Sequence, residues 1–219
     1  MKKRRMSVTV PCVADFKVTG DGKASAWAKA AWMPLTRMKG KVPYGTRAKM
    51  LYSQTGLYVL VECEDATLTC TRLPDMGDLY NEDVVEFFVW PDEKNPLYFE
   101  YEISPLNKEL AILVPNRGGT FFGWTPWHYE KERTTRHAVK VTGGTARPGA
   151  KVTGWSTEFF IPFALFKGIA DTPPKPGTCW RANIFRIDYD DGVAQYAWDP
   201  ATGCSFHNYK QYGVLTFGK

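Results

Sequence analysis

Histidine is scarce in this chain: the three residues, His128, His137 and His207, show neither the H-E-x-x-H nor the H-x-H spacing that sets two imidazoles on one metal. The five cysteines, Cys12, Cys63, Cys70, Cys179 and Cys204, are odd in number and form no C-x-x-C pair. They point away from a zinc ribbon or a disulfide framework and read as mostly buried thiols. No G-x-S-x-G, P-loop or G-x-G-x-x-G follows a strand-like segment, which leaves nucleophilic and nucleotide chemistry unsupported. Long apolar runs are missing too. The longest, Phe159 to Phe166, contains Pro162 and falls far short of a membrane span, so no membrane partner is expected. Excess charge is small: of the net +5, four charges sit together in Lys2, Lys3, Arg4 and Arg5, and the remaining body is close to neutral. Nucleic acid therefore has no electrostatic claim on the fold and is not expected as a partner. The basic cluster resembles the start of an export signal, but Ser7, Thr9, Pro11 and Asp15 interrupt the apolar stretch that would have to follow.

Aromatic residues are plentiful, with 8 Trp, 11 Tyr and 13 Phe making up 15% of the 219 residues. Such side chains favour strands, fill cores and offer flat faces on which a sugar ring can stack. Strand periodicity runs through almost the whole chain, in short segments separated by Gly, Pro and Asn/Asp clusters. Thr46–Tyr52 and Leu57–Glu64 form a hairpin across Ser53 to Gly56, with Gly56 expected to supply turn freedom; Asp83–Trp90 and Tyr98–Ser104 form a second. Glu109–Val114, Arg136–Val141, Gly154–Ile161, Trp180–Asp188 and Gly213–Phe217 complete the set, and only Ala24–Trp32 and Phe163–Phe166 suggest helical turns. The expected fold is all-β, a jelly-roll-like sandwich of two antiparallel sheets with one or two short helical turns. With no internal repeat or composition shift, residues 1–14 read as a basic N-terminal segment and 15–219 as one domain. Pro115 to Glu132 stands out as a long loop carrying Phe121, Trp124 and Trp127, of the kind that often serves function.

The chemistry-bearing residues are carboxylates: Glu86, Glu100, Glu102, Asp188, Asp190 and Asp191 lie in or just beyond predicted strands. Alternation along Asp83–Trp90 puts Val85, Phe87 and Val89 on a core face and Val84, Glu86, Phe88 and Trp90 on the opposite surface. Tyr80 shares the parity of Glu86, so an acceptor and an aromatic edge are expected together on an exposed sheet, the pairing a sugar hydroxyl site needs. The turn Asp188 to Gly192 reads first as a solvated acidic turn, though it offers several oxygens to a hard cation; structural calcium stays open, and no cofactor or metal ligand is assigned.

Three stretches then carry a likeness. Thr46 to Tyr52 followed by Gly56 to Asp65 is a hairpin ending in acidic residues; Tyr80 to Val89 is similar to a W-x-x-D-x-V-E-hydrophobic signature; Trp198-Asp199-Pro200, Phe206-His207 and Tyr212 to Phe217 are similar to a closing W-x-P, aromatic and F-G-x-L pattern. In this order and spacing, with Gly20-Asp21-Gly22 and Trp27 before them, the chain resembles the family 9 carbohydrate-binding modules, a jelly-roll family related to the DOMON-like sandwiches. The resemblance implies noncatalytic binding of a terminal or short saccharide, an association with polysaccharide breakdown, and a secreted or periplasmic bacterial setting. Characterised members clamp a sugar ring between two tryptophans, and by motif register those positions fall on Tyr80 and Phe206. The family's binding carboxylate falls on Glu86, and calcium is known among its members. Arg186, by strand proximity, and His207, beside Phe206, are further expected polar contacts.

Two alternatives accompany this expectation: a glycoside-active enzyme using Glu86 and a second carboxylate under the aromatic loop, and a haem-binding DOMON-type redox domain. No catalytic residue is assigned, and the oligomeric state is left open.

Overall fold

The computed structural model describes residues 5–219, so Lys2, Lys3 and Arg4 of the basic cluster lie outside the described residues. Fifteen strands follow in chain order: β1 (Ser7–Val10), β2 (Met33–Pro34), β3 (Thr36–Lys39), β4 (Thr46–Tyr52), β5 (Gly56–Glu64), β6 (Val84–Trp90), β7 (Leu97–Ile103), β8 (Glu109–Arg117), β9 (Thr120–Phe121), β10 (Thr125–Pro126), β11 (Arg136–Thr142), β12 (Gly154–Pro162), β13 (Cys179–Asp188), β14 (Ala194–Ala197) and β15 (Gly213–Phe217). Helical structure is confined to short 3-10 turns such as Ser25–Lys29 and Phe163–Phe166. The chain is an all-β sandwich of two largely antiparallel sheets. One sheet runs β1-β15-β13-β6-β7-β8-β10, with β14 and β3 attached beside β13 and β9 beside β8; the other runs β11-β12-β5-β4-β2. Among the described residues no helix is long and apolar enough to cross a membrane.

The sheets meet through alternate residues of facing strands. Val85, Phe87 and Val89 of β6 and Phe99, Tyr101 and Ile103 of β7 bury themselves against Val59, Val61, Phe159 and Ile161 of β5 and β12. The Phe159 ring lies 4.8 Å from that of Tyr101 and 6.1 Å from that of Phe87. The outward faces, however, are not left to solvent. Residues 13–32 cover the smaller sheet, packing Val13, Trp27 and Ala30 on Tyr58, Leu60 and Phe160. The segment from Trp198 to Tyr212 covers the larger sheet, packing Phe206, Tyr209 and Tyr212 on Phe88, Tyr98 and Phe185. Central strands therefore carry near-continuous apolar runs rather than alternation, and all seven residues of β6 are buried. Here the outward face of Asp83–Trp90 differs from its sequence-based expectation: it is roofed, not exposed.

Two further details depart from the sequence pattern. Ser7–Val10, at the basic end of the chain, forms an edge strand paired in parallel with Val214–Phe217, and the Arg5 guanidinium donates to the Lys210 carbonyl at 2.8 Å. Gly56 is required for room rather than for turn freedom, since a Cβ there would stand 2.4 Å from the Ile161 carbonyl oxygen and 2.5 Å from the Phe160 ring.

Phe159→Ala should lower stability by roughly 3–5 kcal/mol, the range for emptying a large aromatic site in a core. Urea titration should show this as a lower midpoint at unchanged slope.

A carboxylate-floored aromatic cleft

Pairing register assembles the site. Glu86 on β6 stands opposite Glu102 on β7, and Phe88 stands opposite Glu100. Directly paired residues share a face, so all three carboxyls project outward beneath the roof, away from the inter-sheet core. Their nearest oxygens lie within 4.8 Å of one another, and the residues are only 2%, 4% and 0% exposed for Glu86, Glu100 and Glu102. A cleft of about 580 Å³ opens over Glu86 and Glu100, which line it, with Glu102 fully buried beside them. Tyr80 and Tyr189 line it from one side and Phe121 and Trp124 of the β9–β10 ribbon from another, with Phe206, His207 and Gln195 also at its wall.

The sequence-predicted residues divide four to one. Tyr80, in the 3-10 turn Leu79–Asn81, is half-buried, and its carbonyl accepts from the Tyr189 hydroxyl at 2.9 Å. Phe206 is stacked on Phe185, with ring centres 4.0 Å apart and planes 11° apart, so one of its faces is already covered. His207 shares a 2.6 Å hydrogen bond between Nδ1 and the Tyr98 hydroxyl, and its ring lies 4.6 Å from that of Phe121. Burial holds the His207 pKa below the ordinary histidine value, which favours the neutral imidazole. These three residues and Glu86 line one cleft.

Arg186 does not join them, and its expected role as a sugar contact is corrected. Its neighbour Phe185 pairs with Glu86 and faces the cleft, so strand alternation sends Arg186 to the other side of β13. There it is fully buried: Nη2 donates to Asp188 Oδ2 at 2.6 Å and Asp65 Oδ2 at 3.2 Å, and Nη1 to the Glu64 carbonyl at 2.6 Å and Thr46 Oγ1 at 3.1 Å.

Electrostatically the floor is an acceptor surface. No amide, hydroxyl or guanidinium of the described residues reaches Glu86 Oε1, Glu100 Oε2 or either oxygen of Glu102. Burial first, and the neighbouring carboxyls second, push Glu86 and Glu102 well above the ordinary carboxylate range. Glu100 rises through burial to about 7, opposed by a hydrogen bond from Glu102. Burial and mutual repulsion thus favour the protonated forms of these carboxyls.

A second acidic cluster lies at the end of the sheets. Asp65, following β5, Asp83, preceding β6, and Asp190, in the predicted acidic turn, bring carboxylate oxygens within 4.8 Å of one another. Asp190 accepts from the Tyr44 hydroxyl at 2.8 Å and the Thr69 hydroxyl at 3.0 Å, while Asp83 accepts from the Thr69 amide at 2.6 Å and the Tyr189 amide at 2.9 Å. Burial lifts Asp65 to about 6 against the pull of Arg186, and lifts Asp83 to about 8.

The β-sandwich thus carries a pocket between sheet and roof, with aromatic walls over a polar floor. A family model described as carbohydrate family 9 binding domain-like matches residues 18–219, and the chain belongs to that family. Three solved structures share the fold. A Bacteroides uniformis ATCC 8492 protein, provisionally described as carbohydrate-binding, superposes with a TM-score of 0.78 at 16% identity, covering 98% of this chain and 100% of that one. A family 9 carbohydrate-binding module from Caldicellulosiruptor kristjanssonii in complex with cellotriose gives a TM-score of 0.67 at 15% identity, covering 98% of this chain and 95% of that one. The glucose complex of a family 9 module from the same organism gives 0.65 at 16% identity, covering 99% and 97%. At these identities the likeness establishes the fold alone. No curated protein matches the chain.

Sequence reasoning left Glu100, Glu102, Phe121, Trp124, Tyr189 and Gln195 outside the predicted site. The two glutamates are visible as carboxylates on a strand of the right parity, but only the Glu86–Glu102 register makes them neighbours. Phe121 and Trp124 carry a signal in the aromatic richness of their loop.

A folded-state carboxyl pKa above its unfolded value adds stability that is complete at acid pH and is lost as pH rises through the folded pKa. Thermal melts of the unliganded protein should therefore fall between pH 5 and 8, the range reached by Glu100 at about 7. In Glu102→Gln that fall should be shallower, with the variant melting above wild type at pH 8 and close to it at pH 5. The pH dependence of the difference between the two melting temperatures checks this.

Proposed function

We propose that the protein is a noncatalytic carbohydrate-binding module that holds a terminal or short saccharide in the outer cleft of its larger sheet. The observation that carries this is the convergence of Tyr80, Glu86, Phe206 and His207, drawn from distant parts of the chain, on one cleft of about 580 Å³. Family membership supports it, as do the glucose and cellotriose complexes of modules with the same fold. Tyr80 and the small uncovered part of Phe206 serve as ring platforms, Glu86 accepts from hydroxyls, and His207 sits beside them. Each stacking contact and each well-made hydrogen bond contributes about 1 kcal/mol, so affinity in the micromolar range or weaker is expected.

A glycosidase would need acid and base on opposite sides of the scissile bond. Glu100 and Glu102 instead stand beside Glu86 on one wall. The cleft lining has a single histidine and no methionine to ligate haem.

The acidic cluster at Asp65, Asp83 and Asp190 suits a hard cation. Its donors are all oxygens, and Arg186 engages Asp65 and Asp188 but neither Asp83 nor Asp190. These three aspartates would hold calcium, which would add positive charge beyond that which Arg186 brings to Asp65 and tie β5, β6 and the turn after β13 together.

Isothermal titration with glucose and cellotriose tests the module. Tyr80→Ala should weaken binding by roughly five- to tenfold. Phe206→Ala should weaken it comparably and also lower the melting temperature, because the ring packs on Phe185. Undiminished affinity in both variants rules out the two-platform arrangement. For the aspartates, calcium should raise the melting temperature of the EDTA-treated wild type, and Asp83→Asn should abolish that response.

A further inference from the structure

We propose that the cleft selects a saccharide bearing a primary amine, an amino-deoxyhexose or an oligosaccharide ending in one, whose ammonium group seats among Glu86, Glu100 and Glu102. The proposal rests on the saccharide assignment made above and names the class of sugar.

Three observations lead there. The floor's carboxyls draw no donor from the rest of the described protein. Glu86 Oε1, Glu100 Oε2 and both oxygens of Glu102 are buried and have no donor from an amide, hydroxyl or cationic group of the described residues. The aspartate cluster provides the contrast, since there Thr67, Thr69, Tyr44, Trp155 and Arg186 all donate to the carboxylates. Burying polar groups without partners is costly, and clusters of this kind are retained where something else completes them.

The protein supplies no counter-cation. No Lys or Arg of the described residues forms an ion pair with the trio, and the single basic neighbour is His207, with Nδ1 3.9 Å from Glu100 Oε2 and bound to Tyr98. The other titratable groups facing the trio are Tyr80, Tyr98, Tyr189, Tyr212 and Asp78, none of them a cation at neutral pH.

The spacing suits an ammonium. Its three N–H groups point along a tripod, and oxygens about 2.8 Å from the nitrogen then stand about 4.6 Å apart. The trio's oxygens fall within 4.8 Å of one another. A sugar hydroxyl donates once and leaves two carboxyls unmet. A calcium ion calls for about six to eight oxygens; besides the Tyr80, Tyr189, Gln195 and Ser205 side chains, the lining is largely apolar, with Phe88, Ile112, Ile187, Phe121 and Trp124. Those same walls suit a pyranose ring whose amine is turned down into the floor. Burial favours the protonated carboxyls, so seating an ammonium should release protons to solvent, and binding should strengthen as pH rises until the amine itself loses its proton.

Titrating wild-type protein with glucose, glucosamine and N-acetylglucosamine at pH 7 tests this. Glucosamine should bind about tenfold or more tightly than the other two, with proton release seen as a buffer-dependent heat. In Glu102→Gln the preference for glucosamine over glucose should fall towards unity. Equal affinities for the three sugars in wild type overturn the proposal while leaving the saccharide assignment standing. Failure of all three, and of cellotriose, removes that assignment and the proposal with it. Calcium binding that is lost in Glu102→Gln but kept in Asp83→Asn overturns the proposal in favour of a metal on the trio. The three-sugar comparison needs no variant, so a misfolded Glu102→Gln does not weaken it.

Discussion

Burial of the larger sheet on both faces is the constraint from which the rest of the molecule follows. Val85, Phe87 and Val89 face the opposing sheet, while Val84, Phe88 and Trp90 face the roof formed around Phe206, Tyr209 and Tyr212. A strand enclosed in this way has no position at which a charged side chain reaches water cheaply. Glu86, Glu100 and Glu102 nevertheless occupy such positions, and they do so together. Their cost is tolerated because the roof is incomplete above them, and the gap is the cleft.

That arrangement separates two uses of acid within one sandwich. At the sheet ends, Asp65 and Asp188 are tied to Arg186, and Asp83 and Asp190 collect amides and hydroxyls. Fixing the chain crossings there stabilises the frame. Under the cleft the glutamates draw no such donors from the rest of the described protein, and burial favours their protonated forms. The first group draws donors from the protein around it, and the second does not.

Much of the fold was legible because strand chemistry is local. Nine principal strands, from β4 and β5 through β15, announce themselves by β-branched and aromatic runs between turn residues. Strands β1 and β14 do not: Ser7–Val10 is defined by its parallel partner near the other end of the chain, and Ala194–Ala197 is too short to show a pattern. Within the site, parity correctly put Glu86 opposite the core-facing residues of β6. It could not say that Phe206, far along the chain, would lie over that face, nor that Glu102 would stand across from it. Arg186 illustrates the same limit, since proximity in sequence to cleft-facing Phe185 is what directs it away from the cleft. Facts of register and of long-range covering, rather than of local pattern, make up what was missed.

The β9–β10 ribbon adds one more consequence. It is paired only to β8 at the margin of the sheet, and it carries Phe121, Phe122 and Trp124, the most exposed large aromatics of the chain. Being peripheral to both apolar layers, this stretch can be lengthened, shortened or rewritten with little penalty to folding. Evolution or engineering could therefore retune which glycans enter by exchanging a short surface appendage, while the carboxyl floor and the frame beneath stay as they are.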